Sequence, residues 1–125
     1  MRVQMSLSKE GRQILHKEQR ENFEKEGTKI TYGFIAGKSI KSIFEEREII
    51  DWFRVMKYSI ETGEGEGAEE FSTILNLETS VRQEIVVLQV YLKKYFAAAR
   101  VHAAFVVKLS LKAHEMKKNG INIYI

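Results

Sequence analysis

The chain begins with polar residues at every second position, and their types are those that hydrogen-bond to the edges of DNA bases. They are Arg2, Gln4 and Ser6. Arginine pairs with guanine and glutamine with adenine, whereas serine hydrogen-bonds to either kind of base. The residues between them are apolar: Val3, Met5 and Leu7. This period of two predicts a β-strand with one polar face, suited to DNA contacts, and one apolar face that packs on a core.

A strand of this length is not stable alone, because its backbone N–H and C=O groups lack partners on both edges. We predict that it pairs with the same strand of a second copy. The antiparallel ribbon would bury both apolar faces and present both polar faces, and such a ribbon fits the DNA major groove. An alternative partner is the C-terminal stretch INIYI, in which Ile121, Ile123 and Ile125 also alternate.

Residues that could carry catalysis or bind a metal are scattered. The three histidines, His16, His102 and His114, share no ligand spacing with acidic residues. The stretch GFIAGKS, residues 33–39, is one residue short of the spacing of a phosphate-binding loop. Asp51 is the only aspartate, and the sequence shows no recognisable Ser/His/Asp catalytic arrangement. We therefore expect a protein that is not an enzyme and that needs no metal or cofactor.

The composition is that of a folded globular protein. Of its 125 residues, 44% are hydrophobic and 30% are charged. No cysteine is present, which fits a reducing compartment, and no apolar run reaches the length of a membrane span. The N-terminus also lacks the pattern of a signal peptide. We expect a cytoplasmic protein that does not insert into a membrane.

The elements that position the polar strand are predicted to be helices. Ser8 is a good N-cap and Gly27 a good C-terminal residue for a first helix over 9–25. A second helix is predicted to begin near Thr28 or Thr31, with apolar spacing that continues beyond it.

A boundary is predicted at ETGEGEGAEE, residues 61–70, whose three glycines and five glutamates are typical of a solvated linker. It would divide a domain over 1–60 from a domain over 71–125. Because residues 77–118 lack Gly, Pro, Asn and Asp, a single helix of roughly 57 Å is predicted to start near Thr79. So long a helix, apolar over most of its circumference, would be covered by other copies in a dimer or tetramer. Its predicted oligomerisation face comprises Leu88, Tyr91, Tyr95, His102, Val106 and Leu109.

The first part of the chain resembles the ribbon-helix-helix family of DNA-binding proteins. The resemblance lies in RVQMSLS, the helix from Lys9, the turn at Gly27 and a second helix within TKITYGFIAGKSI. It implies base reading by the polar residues of the strand and a phosphate site at the start of the second helix. That site would comprise Thr28, Lys29 and Thr31. The dimer core would contain Val3, Met5, Leu7, Phe34, Ile35 and Ile40.

The predicted order of DNA-binding unit, linker and helical bundle, together with FEKEGTK, is similar to the TraM-type relaxosome accessory proteins of conjugative plasmids. This resemblance implies an oligomer that binds double-stranded DNA at an origin of transfer and contacts a relaxase or coupling protein. One alternative is a ribbon-helix-helix transcriptional repressor of the copy-control, partition or antitoxin type. Another is a helical interaction protein without a DNA role.

Overall fold

The structure, a computed structural model, describes residues 2–58 and 70–125. Within these ranges the chain is mainly helical and has an N-terminal strand, as predicted. The elements in chain order are β1 (Arg2–Ser8), α1 (Lys9–Glu26), α2 (Tyr32–Phe44), α3 (Trp52–Lys57), β2 (Glu70–Asn76), α4 (Thr79–Tyr95) and α5 (Ala103–Lys118). The predicted linker lies outside the described residues, apart from Glu70, where β2 begins.

The partner of β1 is β2 of the same chain. The two strands are antiparallel, with Arg2 opposite Asn76 at one end and Ser8 opposite Glu70 at the other. The prediction that β1 pairs with a second copy is therefore corrected, and so is the alternative pairing with the C-terminal residues. A strand tethered to the same chain has a high effective concentration, so it pairs without the cost of bringing two molecules together.

The order strand–helix–helix occurs twice, and the second occurrence follows the first by about 70 residues. The helices after the strands begin at Lys9 and Thr79, and the next pair, α2 and α5, begins at Tyr32 and Ala103. Equivalent positions in the two halves have similar side chains in similar surroundings. Buried pairs of this kind are Leu15 and Ile85, Ser39 and Ser110, and Ile40 and Leu111. The fold therefore has an internal pseudo-two-fold axis, which passes through the centre of the ribbon.

Both halves contribute to one hydrophobic core. Helices α2 and α5 pack against each other, α1 packs on α5, and α4 packs on α2. Leu88, Val106 and Leu109, which were predicted to contact other copies, are fully buried within this core. Residues 70–118 therefore do not form a separate bundle, and the two predicted domains are one packed unit.

The predicted long helix is interrupted over residues 96–102. Ala97 adopts a left-handed conformation with φ of 50°, and the amide of Ala98 donates to the carbonyl oxygen of Lys93 at 3.0 Å. The side chain of Gln89 donates to the carbonyl oxygen of Val101 at 3.0 Å, which fixes the returning chain. Of the predicted oligomerisation face, Tyr91 and Tyr95 are half-buried, and His102 is the exposed N-cap of α5. The apolar circumference belongs to two helices: α4 buries one side in the core, and α5 is buried over most of its circumference.

The predicted limits of α1 are confirmed, whereas the next helix is shorter than expected. The Ser8 side chain accepts a hydrogen bond from the Gly11 amide, and Gly27 adopts the left-handed conformation at the C-cap. Helix α2 starts one residue after its N-cap Thr31 and ends at Phe44. None of the helices in the described residues is long and apolar enough to cross a membrane.

Because the two halves of one chain share a single core, we expect unfolding to be independent of protein concentration. Thermal melts followed by circular dichroism over about a hundredfold concentration range should give one midpoint. A midpoint that rises with concentration would show instead that association of copies contributes to the folded state.

Candidate nucleic-acid interface

The outer face of the β1–β2 ribbon carries exposed side chains from both strands. Arg2, Gln4 and Ser6 are exposed on β1, as predicted for a polar face. Their neighbours on β2 are also exposed: Ser72, Ile74 and Asn76. In the register of the ribbon, Arg2 lies opposite Asn76, Gln4 opposite Ile74, and Ser6 opposite Ser72. The amide of Gln4 donates to the hydroxyl of Ser72, so the two strands are also joined through their outer side chains.

The inner face of the ribbon is anchored to the helices. Leu7 and Leu75 are fully buried, whereas Val3 and Met5 are half-buried against the core. Arg12 of α1 donates to the Thr73 hydroxyl at 3.3 Å and to the Ser72 carbonyl oxygen at 3.5 Å; its guanidinium lies 5.8 Å from the centre of the Tyr32 ring. The predicted core residues of the strand therefore do pack in a core, but the core is that of a single chain.

One cleft lies between β1 and the start of α5. Its polar lining comprises Ser6, Ser8, His102 and Lys108. His102 is exposed and immediately precedes α5, whose N-terminal amides carry partial positive charge. The cleft therefore combines hydroxyl donors, an imidazole and a cation beside the outer face of the ribbon.

A second cleft lies on the other side, between the end of β2 and the start of α2. Its polar lining includes Thr31, Lys38, Lys41 and Asn76, together with Glu78. The pseudo-two-fold axis relates the two clefts, because Thr31 and His102 are the N-caps of equivalent helices. Two clefts, each at the start of a helix and each lined in part by lysine, thus flank the ribbon; in the second, the ammonium group of Lys41 pairs with Glu84 at 3.2 Å.

The segment predicted to bind phosphate is exposed beside this second cleft. Thr28, Lys29 and Thr31 are all exposed, and the Thr31 hydroxyl accepts from the Phe34 amide at 3.1 Å. The segment is held to α1 by the side chain of Asn22, which donates to the Thr28 carbonyl oxygen at 2.8 Å. The structure thus places the three residues together at the N-terminus of α2.

The predicted dimer-core residues of α2 separate into two groups. Ile35 and Ile40 are buried in the core of the single chain. Phe34 is 58% exposed and lines the second cleft, so its assignment to a core was wrong. The reason is the helical period: the buried residues of α2 form one broad arc that includes Ile35, Ile40 and Ile43, and Phe34 falls outside that arc.

A second group of charged residues joins α1 to α5 and has a structural role. Lys112 is only 2% exposed, and its ammonium group lies 3.2 Å from a carboxylate oxygen of Glu10 and donates to the Met56 carbonyl oxygen at 3.0 Å. Burial lowers the pKa of Lys112, and the Glu10 carboxylate opposes that shift. Lys17 pairs with the buried Glu115 in the same interface. The two buried charges, Lys112 and Glu115, each have a partner on the other helix, which offsets the cost of removing them from water.

His114 on α5 is half-buried and contacts α2. Its Nδ1 lies 2.9 Å from the hydroxyl of Ser42, and burial lowers the pKa of His114. Among the residues that the structure describes, no group of three His, Asp or Glu side chains could hold a metal ion.

The residues that sequence reasoning missed are Ser72, Ile74, Asn76 and Lys108. The first three alternate with Thr73, Leu75 and Leu77, so the same period of two was present, but it followed directly on a glutamate-rich stretch. Comparison of the chain with protein-family models, curated proteins and solved structures found no match.

Proposed function

We propose that this protein binds double-stranded DNA sequence-specifically by placing the β1–β2 ribbon in the major groove. In this proposal the two halves of one chain form a ribbon-helix-helix unit that otherwise takes two copies. The observation that carries it is the two-stranded ribbon itself, which in the described part of the chain has six exposed outward side chains and a lysine-containing cleft on each side. It is a binding protein rather than an enzyme.

The outward side chains supply the chemistry of base recognition. Arg2 can pair with guanine, and Gln4 and Asn76 with adenine, each through two hydrogen bonds in the major groove. The buried Leu7 and Leu75 fix the orientation of the strands, so these side chains are presented in a defined register. A rigid reading element loses less conformational entropy when it binds.

The two clefts supply contacts to the DNA backbone. The N-termini of α2 and α5 each offer backbone amides and partial positive charge to a phosphate group. Lys29 and Lys38 lie near the first of these helix ends, and Lys108 lies near the second. Because the clefts lie on opposite sides of the ribbon, they fit the phosphates on the two sides of a groove.

The cellular role that we propose with this activity is control of a specific plasmid or chromosomal site. One form is an accessory protein at an origin of transfer, which would contact a relaxase or coupling protein. The other is a transcriptional repressor. The single shared core favours the repressor, because the resemblance to the accessory proteins depended on a separate oligomerisation bundle.

The proposal predicts that binding depends on Arg2. Sites enriched from a random DNA pool should bind the Arg2→Ala variant about 5- to 150-fold more weakly, which corresponds to about 1–3 kcal/mol for a bidentate base contact. Lys29→Ala should weaken binding to all sequences alike and reduce the slope of log affinity against log salt by about one. Fluorescence anisotropy at several salt concentrations measures both effects.

Lys57→Ala is the matched control, because Lys57 is an exposed cation on α3 and lies in neither cleft. It should bind like the unmodified protein. A random pool that yields no enriched sequence would refute sequence-specific binding, and equal losses for Arg2→Ala and Lys57→Ala would show that the ribbon does not read the bases.

A further inference from the structure

The two ends of the ribbon are chemically different. In a ribbon made by two identical strands, every outward residue occurs twice and the two ends are the same. Here the pseudo-two-fold axis relates Arg2 to Ser72, Gln4 to Ile74, and Asn76 to Ser6. Among the outward side chains that the structure describes, one end therefore presents Arg2 beside Asn76, and the other end presents the hydroxyl groups of Ser6 and Ser72.

Each position along the ribbon has a distinct chemical preference. At the Arg2 end, arginine selects guanine and asparagine selects adenine. In the middle, Gln4 can bind adenine while Ile74, 49% exposed directly opposite, can contact the methyl group of a thymine. At the far end, serine hydroxyl groups accept or donate and discriminate weakly between bases.

We propose that one chain occupies a non-palindromic DNA site, read strictly at the Arg2–Asn76 end and loosely at the Ser6–Ser72 end. The strict end selects guanine and adenine, the centre selects an adenine–thymine pair, and the loose end accepts several bases. This inference rests on the proposed function, because it concerns the same ribbon. It adds Ile74 to the base-reading residues, assigns Asn76 to the strictly read end, and excludes the symmetric site that two identical strands would require.

The first test is the shape and occupancy of the selected site. Sequences enriched from a random pool should give an asymmetric consensus with its strongest positions at one end. Mass measurement of the complex should find one chain on one site. A palindrome made by duplicating the strict half should bind no more tightly than the selected site, because the Ser6–Ser72 end cannot read it.

The second test assigns the two ends to residues. Asn76→Ala and Arg2→Ala should each lower affinity about 5- to 150-fold and relax base preference at the same end of the site. Ser6→Ala should change affinity less than fivefold and leave the base preference at the Arg2–Asn76 end unchanged. Thermal melting of each variant checks that the fold is retained.

The outcomes separate this inference from the proposed function. A palindromic consensus bound by two chains would overturn the asymmetric reading and leave DNA binding by the ribbon intact. The asymmetric reading is also overturned, with DNA binding intact, if Asn76→Ala and Arg2→Ala relax base preference at opposite ends of the site. Failure to enrich any sequence would instead remove the proposed function.

Discussion

Replacing Gly33 with alanine is expected to destabilise the protein by about 3 kcal/mol or more, at the upper end of the range for overpacked positions. A Cβ atom at residue 33 would lie 2.2 Å from the carbonyl oxygen of Asn76 and 2.7 Å from its amide nitrogen. Both are backbone atoms at the end of β2, so they cannot move aside as a flexible side chain would. Relief requires α2 and the ribbon to separate, which would also disrupt the second cleft.

Urea denaturation measures the effect, and Gly11→Ala is the matched control. A Cβ atom at residue 11 would meet its nearest neighbour, the Ser8 hydroxyl oxygen, at 3.6 Å, which is an ordinary contact. Since glycine costs a helix about 0.5–1 kcal/mol relative to alanine, the control should be slightly more stable than the unmodified protein. If Gly33→Ala were as stable as Gly11→Ala, the close approach of α2 to the end of β2 would be wrong.

Replacing Ile123 with alanine is expected to lower the free energy of unfolding by about 2–5 kcal/mol, the range for truncation of a fully buried isoleucine. The C-terminal residues pack on the segment that joins α2 to α3. Ile123 is fully buried, and its carbonyl oxygen accepts from the Asp51 amide at 2.8 Å. Tyr124 forms a β-bridge with Ile50, and its hydroxyl group lies 2.8 Å from a carboxylate oxygen of Glu46.

Ile125→Ala is the control for this prediction. Ile125 has the same side chain two residues later but is 83% exposed, so its truncation should change stability by no more than about 0.5 kcal/mol. Denaturant unfolding of both variants compares them directly. Equal, small effects would mean that the tail is dispensable for folding and is available for binding a partner.

The parts of the fold that depend on local signals were predictable. Ser8 and Gly27 give α1 its limits, because a hydroxyl cap and a left-handed glycine act within one turn of the helix. The break at Ala97 was not predictable in the same way. A left-handed alanine costs about 1–2 kcal/mol, and the packing of both α4 and α5 in the core offsets that cost.

The candidate site, too, was predictable only where it depends on local sequence. The alternation of Arg2, Gln4 and Ser6 placed their side chains on one exposed face, because a strand has a period of two whatever its partner. The identity of the partner strand could not be obtained from that period, since pairing between residues more than 60 positions apart depends on the packing of the whole chain. Phe34 was misplaced because it was assigned to the core with its neighbour Ile35, although adjacent residues of a helix point about 100° apart.

The distance along the chain between β1 and β2 has a consequence for synthesis on the ribosome. Leu7, Leu15 and Ile40 are translated well before the second half that covers them. At 5–20 residues per second, the stretch from β2 to the end of α5 takes roughly 2–10 s to be made. During that interval the nascent first half exposes the apolar faces that α5 and β2 later bury, and this is the period in which chaperones and aggregation compete for it.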